Sequence, residues 1–139
     1  MTLRRSVIFA EPVRTAIGTF GGSLKDIPAA TLGSVAIEAA VARAKLRSDE
    51  VETVVMGNVV QAGTKMNPAR QAAVHAGLPV TIPALTVNRV CGSGAQAIVS
   101  AAHQSQQISV PVAIGEQQQV ISIRRVGDQI EVGRVPGSA

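Results

Sequence analysis

The single cysteine of the chain, Cys91, stands where a strand-like segment gives way to a helical one. The apolar run LTVNRV at 85–90 leads into it, and Gly92, Ser93 and Gly94 precede small residues at helical spacing. The first N–H groups and the dipole of a helix favour an anion, so a thiol placed here should form the thiolate readily. The glycines allow a sharp turn and a close approach of substrate. The pattern predicts a nucleophilic cysteine.

Two other interpretations of this segment stay open. A lone cysteine in an intracellular protein is most often a small buried hydrophobic residue. Gly92, Gly94 and Ala97 also fit the G-x-G-x-x-A fingerprint of dinucleotide-binding folds, and Glu116 follows at about the spacing of the acid that binds the ribose. Polar residues in the strand before the glycines count against that fold. The alternatives are a dinucleotide-binding α/β module and a non-catalytic structural remnant.

Composition indicates one ordinary domain with an aliphatic core. The chain has 139 residues, of which 46% are apolar and only 1% aromatic. Such a core is built from Ala, Val, Ile and Leu, which suit helices packed closely on a sheet. One cysteine excludes an intramolecular disulfide and fits a reducing compartment.

Charge and hydropathy exclude several classes of partner. The net charge is +4, but the basic residues are scattered and no aromatic platform for bases accompanies them, so we expect no nucleic-acid partner. No apolar run is long enough for a membrane span, and the apolar stretch near the N-terminus is too short for a secretory signal. We therefore expect no membrane association and a cytoplasmic location. Two histidines without a nearby cysteine or carboxylate pattern predict no metal site.

The first half of the chain predicts two strands and one helix. Residues 5–10 are expected to form a buried strand, and residues 11–30 a loop rich in glycine and proline. Thr31 is expected to cap a helix that runs to about residue 47. Its predicted core-facing stripe consists of Leu32, Val35, Ala36, Ala39, Ala42 and Leu46. A second strand is predicted over 51–60, followed by a turn at Gly63.

The second half continues the alternation. Asn67 and Pro68 have the residue types of an N-cap and first turn, and Gly77 would end that helix. A strand at 85–90 and a helix from Gly92 to about residue 103 follow. The resulting strand–helix order predicts an α/β fold with a mixed, mostly parallel sheet layered with helices.

The character of the sequence changes after residue 102. Residues 103–119 are rich in glutamine around one apolar run, VPVAI, and residues 120–135 alternate around Gly127 and Asp128 as in a hairpin. We therefore divide the chain into a domain at 1–102 and a divergent tail at 103–139, which is interpreted as truncated or frame-shifted sequence.

From Ser6 to Ala102 the chain resembles the N-terminal half of the thiolases, the acetyl-CoA acetyltransferase and 3-ketoacyl-CoA thiolase family. The matching segments are VIFAEPVRTAIGTFGGSLKDIPAATLG, VVMGNVVQAG, NPARQAAVHAGLP and VNRVCGSGAQAI. The resemblance implies that Cys91 takes an acyl group from acyl-CoA and passes it to a second acyl-CoA in a Claisen condensation, or runs the reverse thiolysis. It implies no separate cofactor, since CoA thioesters are the substrates.

The resemblance also implies what the 139 residues lack. Thiolases have a second, similar half that supplies an Asn in an NEAFA-like segment, a His in a GHP-like segment and a second Cys in CxGGG. None of these segments occurs here. The C-terminal half of the fold is thus expected to be absent, the isolated chain inactive in turnover, and its exposed apolar surface prone to form homo-oligomers. The resemblance assigns no CoA-binding residues. Arg70 and Gln71 belong to the NPARQ segment, for which it implies a role in helix packing near the subunit interface.

Overall fold

The computed structural model describes residues 7–105, 111–114 and 120–124. In chain order, the elements are β1 (Ile8–Val13), α1 (Ala29–Arg43), β2 (Thr53–Gly57), α2 (Pro68–His75), β3 (Ala84–Val87), α3 (Ser93–Gln104), β4 (Pro111–Ile114) and β5 (Val120–Arg124), with one 3-10 turn at Ser48–Glu50.

The five strands form one mixed sheet in the order β1-β5-β4-β2-β3. Strands β4, β2 and β3 are parallel, whereas β5 runs antiparallel to both of its neighbours, β4 and β1. Four of the described strands therefore point the same way, which confirms the predicted α/β fold with a mixed, mostly parallel sheet.

Helices cover both faces of the sheet. Successive residues of a strand point to opposite faces, so β2 sends Val54 and Met56 toward α1 and α2, and Val55 toward α3. The α3 side is built from small residues, because Ala97 and Ala101 are fully buried there. All five residues of β2 are buried, as expected of a central parallel strand. The aliphatic core predicted from composition is confirmed.

The first strand differs from its prediction. Strand β1 begins at Ile8 and extends to Val13, into the segment expected to be a loop. It is not a buried strand, since Phe9 is 52% exposed. The reason is its position at the edge of the sheet, where β5 is its strand partner. The register also shifts between Ala10 and Val13, where Glu11 has a φ of 50°.

The prediction for α1 was wrong in its cap and only partly right in its buried face, of which Ala36 was predicted correctly. The helix begins two residues before Thr31, and Pro28 occupies the N-cap without a side-chain bond. Its buried face includes Gly33, Ala36, Ile37 and Ala40, while Val35 is 53% exposed. Small residues allow α1 to pack closely on α2: a Cβ added at Gly33 would lie 3.2 Å from the Cβ of Ala72. The helix thus buries Gly33 at its contact with α2 and Ile37 in the core, and neither residue was on the predicted stripe.

The second helix follows its prediction closely. The Asn67 side chain caps α2 by accepting from the N–H of Arg70 at 3.2 Å, and Pro68 is its first residue. Gly77 has a φ of +71°, which an L side chain adopts at a cost, and it follows Ala76, the C-cap of the helix. The same asparagine donates to the carbonyl of Ala84 at 2.9 Å and accepts from Thr86 Oγ1 at 2.8 Å. These bonds tie the start of α2 to β3.

Two segments of the predicted tail contribute strands. Strand β4 lies between β2 and β5, and its Val112, Ala113 and Ile114 are fully buried. The VPVAI run thus supplies a central strand of the sheet. The predicted hairpin at 120–135 lies outside the described residues apart from β5. The division at 102 and the proposed origin of the tail stay predictions.

Candidate active site at the Cys91 turn

A five-residue turn, Asn88 to Gly92, joins β3 to α3. The strand ends at Val87, so the prediction that it runs directly into Cys91 was wrong. The N–H of Asn58 donates to the carbonyl of Val87 at 3.1 Å, and the chain then leaves the sheet. The Asn88 side chain directs this departure: Nδ2 donates to the carbonyl of Val59 at 2.9 Å, and Oδ1 accepts from the N–H of Val90 at 2.9 Å.

The turn places Val90 in a backbone conformation that its residue type rarely adopts. Its φ is 48°, in the left-handed region where a β-branched residue is strained. Such a conformation persists only where the surrounding structure holds it. Here the hydroxyl of Ser93 bonds to Val90 and to the residue before it: it accepts from the N–H of Arg89 at 2.8 Å and donates to the carbonyl of Val90 at 2.7 Å.

Gly57, the last residue of β2, provides the surface on which the start of α3 rests. A Cβ added there would lie 2.5 Å from the carbonyl carbon of Ser93, 2.6 Å from its oxygen and 2.7 Å from the nitrogen of Gly94. All three are backbone atoms, so no side-chain rotation could make room. Ser93 itself is 0% exposed. The first turn of α3 is therefore fixed against β2.

Cys91 lies on the accessible side of this turn. It is exposed and has a free thiol, and it directly precedes Gly92, the N-cap of α3. The predicted helix start after Cys91 is thus confirmed. A nucleophilic role of Cys91 would require this position. The N–H groups of Gly92 and Ser93 already donate to the carbonyls of Arg89 and Val90, both at 3.0 Å. These two N–H groups are therefore already bonded within the turn.

The cation nearest to Cys91 along the chain is held along the helix. The guanidinium of Arg89 donates from Nη1 to Oε1 of Gln96 at 3.1 Å, and Nε2 of Gln96 donates to Ser100 Oγ at 3.1 Å. Arg89 was interpreted as a strand residue, but the structure places it in the turn. Its side chain lies exposed along the surface of α3.

Arg70 and Gln71 join α2 to two neighbouring loops. Arg70 donates from Nη1 to the carbonyl of Ile82 at 2.8 Å, and Gln71 donates from Nε2 to the carbonyls of Thr64 and Met66 at 2.8 and 2.9 Å. A role in packing is thus evident for both residues. Whether they also lie near a subunit interface stays a prediction.

Two further predictions concern a metal site and the acid that would bind a ribose. In the described part of the chain, no group of three His, Cys, Asp or Glu side chains could hold a metal ion. Glu116, the proposed ribose acid of the dinucleotide interpretation, lies outside the described residues. A cavity of about 410 Å³ lies at the start of α1, where Lys25, Lys65 and His75 are among its lining residues.

Sequence reasoning missed the residues that support the turn. Ser93 and Gly57 were not singled out, although Ser93 belongs to the CGSG segment itself. The signal available in the sequence was the Asn88–Val90 spacing, since asparagine often accepts from the N–H two residues on. The contact with Gly57 has no local signal, because it joins the end of β2 to the start of α3.

Within the described residues, no helix is long and apolar enough to cross a bilayer.

Comparison with known proteins identifies relatives over most of the chain. The family model "Thiolase, N-terminal domain" matches residues 7–121. An acetyl-CoA acetyltransferase of Cupriavidus necator is 53% identical over 97 residues, which are 70% of this chain and 25% of that protein. Beta-ketothiolase BktB of the same organism is 52% identical over 114 residues, 81% of this chain and 29% of its own length.

A mitochondrial acetyl-CoA acetyltransferase of Xenopus tropicalis is 52% identical over 96 residues, which are 69% of this chain and 23% of that protein. The chain thus matches less than a third of the length of each of these relatives. The family match extends past residue 102 to include β4 and the start of β5. Because the family model covers most of the sequence, the chain belongs to the thiolase family and carries its N-terminal domain.

Proposed function

We propose that the protein acts as an acetyl-CoA C-acetyltransferase, a thiolase that carries an acyl group on Cys91. The observation that carries this proposal is the exposed thiol at the start of α3, on a turn held by side-chain hydrogen bonds, within a thiolase N-terminal domain. The names of the relatives support the acyl-CoA class of substrate. Membership in this family also favours the thiolase interpretation of CGSGAQA over the dinucleotide fingerprint.

The first step is transfer of the acyl group to the enzyme. The thiolate of Cys91 attacks the carbonyl carbon of acyl-CoA and forms a new carbon–sulfur bond. The bond from that carbon to the CoA sulfur breaks, and CoA leaves as a thiol after taking up the proton lost from Cys91. N–H groups of the Cys91 turn are candidates to stabilise the oxyanion formed during attack.

The second step forms a carbon–carbon bond. A second acyl-CoA, deprotonated at its α-carbon, attacks the acyl group and releases the Cys91 thiolate. Thiolysis of a 3-ketoacyl-CoA is the same sequence in reverse. Both directions need a general base and a general acid, and each such group typically contributes about 10²- to 10⁴-fold. The Asn, His and second Cys segments implied by the resemblance do not occur in these 139 residues, so the chain alone is expected to perform the first step at most.

We further propose that the protein is cytoplasmic, needs no cofactor besides its CoA thioester substrates, and works as a homo-oligomer. These proposals rest on the single cysteine and on the family.

The experiment that tests the function is acetylation of the purified chain. We expect incubation with acetyl-CoA to add the mass of one acetyl group, mapped to the peptide that contains Cys91, without formation of acetoacetyl-CoA. The control is Cys91→Ala, which should stay unmodified.

Absence of acetylation in the wild-type chain would favour a non-catalytic remnant. Acetylation that persists in Cys91→Ala would assign the reaction to another residue. Turnover to acetoacetyl-CoA by the chain alone would refute the need for the missing segments.

A further inference from the structure

We propose that Ser93 is a positioning residue for the nucleophile, and that its hydroxyl holds the turn that presents Cys91. This inference rests on the proposed function, in which Cys91 carries the acyl group. Ser93 touches neither substrate nor the reacting atoms in this proposal. It acts through the backbone of Arg89 and Val90, the two residues before Cys91.

The two hydrogen bonds of Ser93 close a loop around Cys91. The hydroxyl accepts from the N–H of Arg89 at 2.8 Å and donates to the carbonyl of Val90 at 2.7 Å. Cys91 and Gly92 lie between these partners and Ser93 in the chain. One side-chain oxygen therefore connects both ends of the segment that carries the thiol.

Ser93 itself is held firmly in place by the sheet. Ser93 is 0% exposed, and its backbone rests so closely on Gly57 that an added Cβ would lie 2.5 Å from the Ser93 carbonyl carbon. Since Gly57 ends a fully buried strand, the hydroxyl extends from a fixed point. Its bonds can thus hold the turn in place relative to the sheet.

The turn needs such a restraint because of Val90. Its φ of 48° is unfavourable for a β-branched residue. The Ser93 hydroxyl bonds to the N–H of Arg89, the residue before Val90, and to the carbonyl of Val90 itself. The N–H of Val90 also donates to Asn88 and its carbonyl also accepts from the N–H of Ser93, so loss of the hydroxyl removes the side-chain part of this restraint. We expect the turn to loosen and Cys91 to be presented less precisely at the start of α3.

The residue after the other end of α3 offers a matched control. Ser105 follows α3, is 4% exposed, and donates from Oγ to the carbonyl three residues earlier, Ala102, at 2.6 Å. Ser93 makes the same type of bond to Val90. The two serines thus have similar burial and a similar local bond, but they lie at opposite ends of the helix.

The test measures alkylation of Cys91 by iodoacetamide as a function of pH in wild type, Ser93→Ala and Ser105→Ala. The rate of alkylation depends on how the turn presents the thiol at the start of α3, so we expect Ser93→Ala to slow alkylation at pH 7 at least about threefold and to change the pH dependence of the rate. Ser105→Ala should leave the rate and its pH dependence unchanged. A Ser93→Ala profile that coincides with the Ser105→Ala profile would overturn the proposal.

A second measurement uses the wild-type chain and therefore does not require the Ser93→Ala variant to fold. Amide hydrogen exchange of the unmodified chain, followed by NMR, reports whether the N–H of Arg89 is bonded. Protection of this amide is expected, and exchange at the rate of a free peptide would overturn the proposal.

Failure of the proposed function gives a different pattern of results. In that case acetyl-CoA leaves the wild-type chain unmodified, while iodoacetamide still distinguishes Ser93→Ala from Ser105→Ala. Failure of the positioning role leaves acetylation of the wild type intact and removes the difference between the two variants.

Discussion

Replacement of Gly57 by alanine should separate the start of α3 from the sheet. The new Cβ would lie 2.5 to 2.7 Å from three backbone atoms of Ser93 and Gly94. Ordinary contact begins near 3.4 Å, so the helix start would have to retreat by about 1 Å. Overpacking in a well-packed core typically costs about 1–3 kcal/mol. Because backbone atoms cannot rotate away, we expect a loss of about 3 kcal/mol in the free energy of unfolding.

A matched glycine shows what the added methyl group costs without the clash. Gly63 has a φ of +76° and nothing within 4 Å of an added Cβ. Gly63→Ala should therefore cost only the left-handed backbone penalty of about 1–2 kcal/mol. Urea unfolding followed by circular dichroism, at equal protein concentrations and with equal denaturant dependence, gives both values.

The comparison has a clear failing result. If Gly57→Ala is no less stable than Gly63→Ala, the contact between β2 and α3 is looser than described. The argument that Ser93 is anchored by this strand would then lose its basis. If the contact is as tight as described, Gly57→Ala should also slow alkylation of Cys91, because the turn and the helix start move together.

Two further predictions concern the capping asparagine and self-association. Asn67→Ala should lower the free energy of unfolding by about 2 kcal/mol, because it removes the N-cap of α2, typically about 1 kcal/mol, and the bonds to β3; urea unfolding measures this, and a loss below that of Gly63→Ala would contradict it. The chain should form dimers or larger species, as expected of the homo-oligomer proposed above, and exposed apolar side chains such as Phe20 and Met66 are available for such contacts. A single monomeric species in sedimentation velocity at micromolar concentration would refute this.

Elements with local signals could be predicted from the sequence. Helix α2 has an asparagine N-cap, a proline in its first turn and a glycine after its end, and all three act within a few residues. The start of α3 after Cys91 was also predictable, since glycines and small residues mark it. In both cases the determinant lies inside the element or next to it.

Elements set by distant contacts could not be predicted in the same way. The buried face of α1 contains Gly33, in close contact with Ala72, and the fully buried Ile37, whereas Val35 stays exposed. Strand β3 ends at Val87 because Asn88 bonds across to Val59, a contact between separate segments. The support of Ser93 by Gly57 has the same origin. The candidate nucleophile was thus predictable, whereas the contacts that hold it in place were not.

The order of strands in the sheet has a consequence for folding during synthesis. Ile8 in β1 pairs with Arg124 in β5, and β4 occupies the place between β5 and β2. Contacts so far apart in sequence close slowly, because the chain must lose loop entropy before they form. Helices α1 and α2 and strands β2 and β3 can associate earlier, as they lie close together in the chain. Until β4 and β5 leave the ribosome, one edge of β2 has no strand partner in this sheet and is open to pairing with other chains. Chaperone dependence and aggregation in the cell should therefore be sensitive to changes in β4 and β5.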